Sequence, residues 1–133
     1  MSYSFAENVI RLKLLSDRLC EGKNKKNGLF LVTYQILFVL SEQDRVSPKQ
    51  LVYELGLAKS NLAIIAKKMI KEGLILQNKD LANRKEIYYC ITKKGKDMII
   101  EKVSQIEEQC TPEVSKDVSL LEKVVKILKS VRV

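Results

Sequence analysis

Between Ala58 and Gly73 the chain carries Lys59, Ser60, Asn61, Ala63, Ile64, Lys67, Lys68 and Lys71, a spacing that places all of them on one side of a helix. Their chemistry falls into two classes. Ser60 and Asn61 are short and polar, and an Asn side chain pairs with adenine through two hydrogen bonds. Ile64 offers only apolar contact, which fits a thymine methyl, although a single exposed isoleucine is ordinary on any surface. The lysines bring charge without bidentate geometry, which suits phosphate. The same face also reads as the solvated side of any amphipathic helix.

The intervening residues say what positions this face. Leu62, Ile65, Ala66, Met69 and Ile70 recur at helical spacing and predict a core-facing stripe on a helix from about Lys59 to Glu72, ended by Gly73-Leu74. Upstream, Ser47-Pro48-Lys49-Gln50 predicts a helix start. Ser47 serves as cap, Pro48 as first helical residue, and Gln50 reaches back to close a capping box. Leu51, Val52 and Leu55 give that short helix an apolar side, and Gly56 supplies the left-handed residue that ends it. Two helices joined so closely must cross. This is a helix-turn-helix, whose second helix can enter a DNA major groove.

After Gly73 the period changes to two. Leu74–Lys79 predicts a strand, Asp80–Asn83 a connection, and Arg84–Ile91 a returning strand. A hairpin in this place is a wing. Its tip carries Arg84 and Lys85, suited to the negative potential of a minor groove. Thr92 is expected to cap a further helix. Lys93, Lys94 and Lys96 then crowd that helix's positive end, which calls either for a nearby anion or for plain solvation.

Composition narrows the choices. The chain has 133 residues and a formal net charge of +8, which favours an anionic partner. It has no histidine, which excludes a His-based triad, and its three cysteines, Cys20, Cys90 and Cys110, are not in metal-ligand spacing. Carboxylates do not cluster and no Gly-rich phosphate loop occurs, so no enzyme activity, metal or cofactor is expected. No signal peptide or membrane span is evident, and a reducing cytoplasm is the expected location.

Helices flank the winged region. One is expected over Ser4–Cys20 with Phe5, Val9, Leu12, Leu15 (or the neighbouring Leu14) and Leu19 in a stripe. A second, Leu29 to about Ser41, is apolar nearly all round and should be central to the core. Val46 fits a short strand beside the wing. A long helix should run from Thr92 to about Cys110. Thr111-Pro112-Glu113 should restart the chain into a last helix whose seam runs from Val114 to Val131. The two terminal seams predict a homodimer, with self-packing as the alternative.

The order of elements, together with Thr33-Tyr34-Gln35, Gln50 to Leu57, Met69 to Ile75, Asp80, Arg84-Lys85 and Ile91-Thr92-Lys93-Lys94-Gly95, resembles the MarR family of bacterial winged helix-turn-helix transcription regulators. The resemblance spans the chain as a single domain, 1–133, mainly α with a small β-hairpin wing. A winged helix-turn-helix core covers about 29–92, with dimerisation helices at about 4–21 and 93–133. It implies a homodimer on a pseudo-palindromic double-stranded DNA operator, most often a repressor released by a ligand or oxidant. Lys59, Ser60, Asn61, Ala63, Ile64, Lys67, Lys68, Arg84 and Lys85 would contact DNA. A small amphipathic effector would sit in a crevice between the dimerisation helices and the winged domain. Three positions depart from the family's pattern: Asn83 replaces a second Asp, Lys85 replaces a prominent Arg, and Ala58 replaces a capping Ser. One branch of the family senses hydroperoxides through a first-helix Cys supported by tyrosines. Cys20 is the matching candidate here, with no Tyr adjacent in sequence. A winged-helix module for protein partners or RNA is the other alternative.

Overall fold

The computed structural model describes residues 4–21, 31–83, 85–108 and 117–131, without the side chains of residues 4 and 19–21. They form two compact units divided between Val103 and Ser104. The first contains α1 (Ser4–Glu21), α2 (Val32–Glu42), α3 (Pro48–Leu55), α4 (Lys59–Lys71), β1 (Ile75–Lys79), β2 (Ile87–Ile91) and most of α5 (Lys93–Glu107). The second contains the end of α5 and α6 (Val118–Ser130).

The core of the first unit forms where the apolar sides of its elements meet. Ile36, Leu37 and Leu40 of α2 are buried with Leu51 of α3, Leu62, Ala66 and Met69 of α4, Ile75 of β1, Tyr89 of β2 and Ile99 of α5. Each fully buried aliphatic side chain contributes about 1.5–3 kcal/mol. The central place expected of α2 is borne out, but the helix is not enclosed all round. Phe38 is half exposed, because one core covers only one side of a helix.

The helix-turn-helix is set by its caps. Ser47 Oγ accepts the Gln50 N–H at 3.1 Å, as the sequence predicts. The reciprocal half of the capping box is not made. The Gln50 side-chain amide donates instead to Gln43 Oε1 at 2.9 Å, a partner the sequence does not bring near it. Gly56 ends α3 at φ +65°, its N–H on the Val52 carbonyl at 3.0 Å. Gly73 ends α4 at φ +76°, with Gly73 N–H on Ile70 O at 3.0 Å and Leu74 N–H on Met69 O at 2.9 Å. This pair of bonds is a Schellman motif, which turns the chain straight into β1.

The hairpin pairs Ile75 with Ile91 through Lys79 with Ile87. Val46 joins its other side in a single antiparallel bridge to Tyr89, with both hydrogen bonds made, at 3.0 and 2.8 Å. The returning strand starts at Ile87 rather than Arg84, because Asn83, Lys85 and Glu86 are drawn into the turn. At its foot Thr92 caps α5, its Oγ accepting the Gly95 N–H at 3.0 Å and donating to the Gly73 carbonyl at 2.6 Å. Gly95 is buried there, and a Cβ on it would overlap the Leu74 carbonyl oxygen. α2 starts at Val32 rather than Leu29, because Leu31 has the non-helical backbone of an N-cap, and α5 ends at Glu107 rather than Cys110, with Glu108 in a turn. The Thr111-Pro112-Glu113 restart lies outside the described residues.

Candidate nucleic-acid interface

α4 divides as its spacing predicts. Leu62, Ala66 and Met69 are buried, while Lys59, Ser60, Asn61, Ala63, Ile64, Lys67, Lys68 and Lys71 are exposed. Ile64 is 70% exposed, so the apolar member of the face does not turn inward. Ala58 gives α4 no side-chain cap. The first amides of the helix and the positive end of its dipole therefore face outward beside Lys59, an arrangement that favours an anion. Lys68 reaches Glu72 at 4.0 Å, an exposed pair too weak to take it out of use.

The far end of α4 explains one lysine of the crowded α5 start. Lys94 Nζ donates to the Glu72 carbonyl at 2.8 Å, so its charge sits at the negative end of α4. Lys93 and Lys96 are exposed. No anion is needed to account for Lys94.

The wing tip is held by its own side chains. Asp80 Oδ1 accepts the Ala82 N–H at 2.9 Å, and Asn83 Oδ1 accepts the Lys85 N–H at 3.2 Å. Asp80 N–H meets Glu86 O, and Glu86 N–H meets Asn83 O, both at 2.9 Å. The bond from Asn83 is one an Asp would also make, so Asn here keeps the turn and removes a negative charge from the tip. Lys85 is exposed. Arg84 and the side chain of Cys20 lie outside the described residues.

The start of α3, the face of α4 and the wing together enclose a cleft of about 740 Å³, lined among others by Lys49, Val52, Lys59, Ala63, Lys85 and Tyr89. Three ammonium groups thus ring a largely apolar floor, with Glu86 as the acidic member. Burial pushes the Tyr89 phenol above the ordinary tyrosine range, so it stays a neutral O–H. The cleft unites Lys59, Ala63 and Lys85, whereas Lys67 and Lys68 are not among its lining residues. Lys49 is a member that sequence reasoning missed. The available signal was the Ser47-Pro48 start, which fixes Lys49 in the first turn of α3.

Among the described residues no group of three or more Cys, Asp or Glu is placed to hold a metal ion, and no helix is long and apolar enough to cross a membrane. Residues 32–110 match the family of winged helix DNA-binding domains. No curated protein matches the sequence. Among solved structures, the multiple antibiotic resistance repressor MarR superposes with a TM-score of 0.77 at 13% identity, covering 96% of this chain and 96% of that one. BpsR of Bordetella bronchiseptica, whose DNA binding is regulated by 6-hydroxynicotinic acid, gives 0.67 at 13% identity over 99% and 97%. Reduced AbfR bound to DNA gives 0.66 at 16% identity over 94% and 90%. At such identities the likeness is one of fold, and it runs nearly the full length of each pair.

Proposed function

The chain belongs to the winged helix DNA-binding domain family and has the fold of the MarR-type transcription regulators, and from that premise we propose that it is a homodimeric, sequence-specific repressor. The observation that carries the reading is the α4 face. Ser60, Asn61 and Ile64 are exposed within about one turn at the end of the helix that meets base edges in helix-turn-helix docking, and Lys59, Lys67 and Lys68 flank them. Lys85, with Arg84 beside it in sequence, serves the wing. The dimer is supported by the apolar residues that α1 and α6 leave exposed in the single chain. Two copies would present two α4 helices to a pseudo-palindromic operator.

Release by a small amphipathic effector completes the reading. We place the effector not in the crevice beside the dimerisation helices that the sequence suggests but in the cleft between α3, α4 and the wing, which offers an apolar floor and a cationic rim to an organic anion. Its occupant would touch Lys59, Ala63 and Lys85, which the operator also needs, so the two would compete. The regulation of BpsR by 6-hydroxynicotinic acid is a parallel for such a ligand.

Operator selection on wild type, Asn61→Ala and Lys67→Ala tests the proposal. The wild type should bind its selected duplex roughly 10³-fold or more tighter than random DNA. Asn61→Ala should lose base preference at one position per half-site. Lys67→Ala should weaken all sequences alike and flatten the salt slope by about one unit. Binding without any sequence preference would point instead to a module for protein or RNA.

A further inference from the structure

We propose that Leu81, at the tip of the wing, reads the minor groove by packing on its floor and selecting A·T over G·C pairs there. The inference rests on the DNA-binding reading above and adds a specificity residue to it. Leu81 is 97% exposed, the highest value among the exposed large apolar side chains of the described residues. It is not on a loose loop. The Asp80 carboxylate holds the Ala82 amide on one side of the turn, and the Asn83 side chain holds the Lys85 amide on the other. The backbone bonds between Asp80 and Glu86 and between Glu86 and Asn83 close the ring behind it. A fixed tip presents its side chain at little further cost in conformational entropy.

The surroundings select the occupant. Lys79 and Lys85 are exposed on either side of the tip, matching the two phosphate rows that wall a groove. Ala82 and Asn83, the next exposed neighbours, extend no apolar patch of the size a protein partner covers. A two-stranded ribbon ending in one apolar side chain between cations has the charge for a minor groove, where apolar side chains are a known means of entry.

The base selection follows from the floor of that groove. An A·T pair shows only acceptors, adenine N3 and thymine O2, whereas a G·C pair adds the guanine N2 amine. Leucine has no acceptor for that amine and would strip it of water, leaving a donor unpaired. Lys85, and Arg84 beside it in sequence, would follow groove width and potential instead, which leaves the choice of base pair to Leu81.

The test scans the selected operator with inosine in place of guanine, pair by pair, and with A·T or G·C at the pairs beneath the wing. Inosine·cytosine lacks the N2 amine but keeps the major-groove pattern of G·C. The full-length wild type should bind the A·T and inosine duplexes alike and the G·C duplex on the order of tenfold more weakly, the usual size of one mismatch. Leu81→Met should keep that ratio. Leu81→Ala should bind all three alike while unfolding at the wild-type midpoint. The proposal is overturned if wild type fails to distinguish inosine from guanine, or if Leu81→Ala keeps the wild-type ratio. A wild type that prefers no operator over random duplex overturns the DNA-binding reading as well, and it does so before any variant is compared.

Discussion

α4 and α6 are both amphipathic helices of 13 residues, yet they end in opposite states. In α4, Leu62, Ala66 and Met69 are no more than 2% exposed, packed with α2, α3 and the wing. In α6, Leu120, Leu121, Val124, Val125 and Ile127 all remain between 38% and 61% exposed. α1 resembles α6 in this, with Phe5, Ile10, Leu14 and Leu15 near 60%. The pattern of a helix states that it needs a partner surface. It does not state whether that surface lies in the same chain. The winged unit closes its own core, while the terminal helices carry seams that nothing described in the single chain covers.

Removing α6 is the strongest way to break the comparison. Deletion after Thr111 should abolish the dimer and give monomeric or aggregated protein in sedimentation, because α6 leaves its apolar residues from Val118 to Leu128 exposed in the single chain. The winged unit should keep its helical circular dichroism, since its buried residues all lie between Ile36 and Ile99. A truncated protein that stays a soluble dimer would move the interface elsewhere.

Gly95→Ala attacks the other side, the claim that the winged unit depends on its internal fit. The added Cβ would meet the Leu74 carbonyl oxygen, with Ile91 Cγ1 at 3.0 Å and Leu37 Cδ2 at 3.1 Å. Backbone cannot move aside as a side chain can. Destabilisation of about 2–4 kcal/mol is expected in denaturant unfolding. An unchanged midpoint would show that the junction of α4, β1 and α5 is far softer than its hydrogen bonds suggest.

The two regions were also unequally legible. Local chemistry gave most of the winged unit: Ser47 and Gly56 bound α3, Gly73 ends α4, and Thr92 caps α5, each acting on residues a few positions away. The division of α4 into buried and exposed sides followed from its period alone. What escaped was nonlocal. Gln50 pairs with Gln43 rather than closing its own box, and Lys94 serves the carbonyl of Glu72 across 22 positions. The cleft needed the fold, because Lys49, Lys59 and Lys85 come from three separate elements. For the terminal helices the sequence carried the seams but not their partner. The α4 and wing residues chosen for DNA are exposed where described, which makes contact possible without choosing the operator.

The smallest effect expected concerns Tyr89, the one buried ionisable side chain among the described residues of the winged core. Burial raises its phenol above the ordinary value by disfavouring the phenolate. The linkage then has a definite sign. Below about pH 10 both folded and unfolded chains hold the proton, and Tyr89 adds no pH dependence. As pH climbs past that value the unfolded chain releases its proton first, so the stability Tyr89 contributes is lost as pH rises through its folded value. Urea midpoints measured between about pH 8 and pH 11 should fall for wild type, and Tyr89→Phe should fall less over the alkaline part of that range. Any pH dependence shared by the two proteins cancels, so only the difference between the two curves belongs to Tyr89. α6 has no buried residue and supplies no comparable term. Parallel curves for the two proteins would mean that the Tyr89 hydroxyl, which borders the cleft, is as well solvated as those of exposed tyrosines. The winged core would then be wetter at that edge than its burial implies.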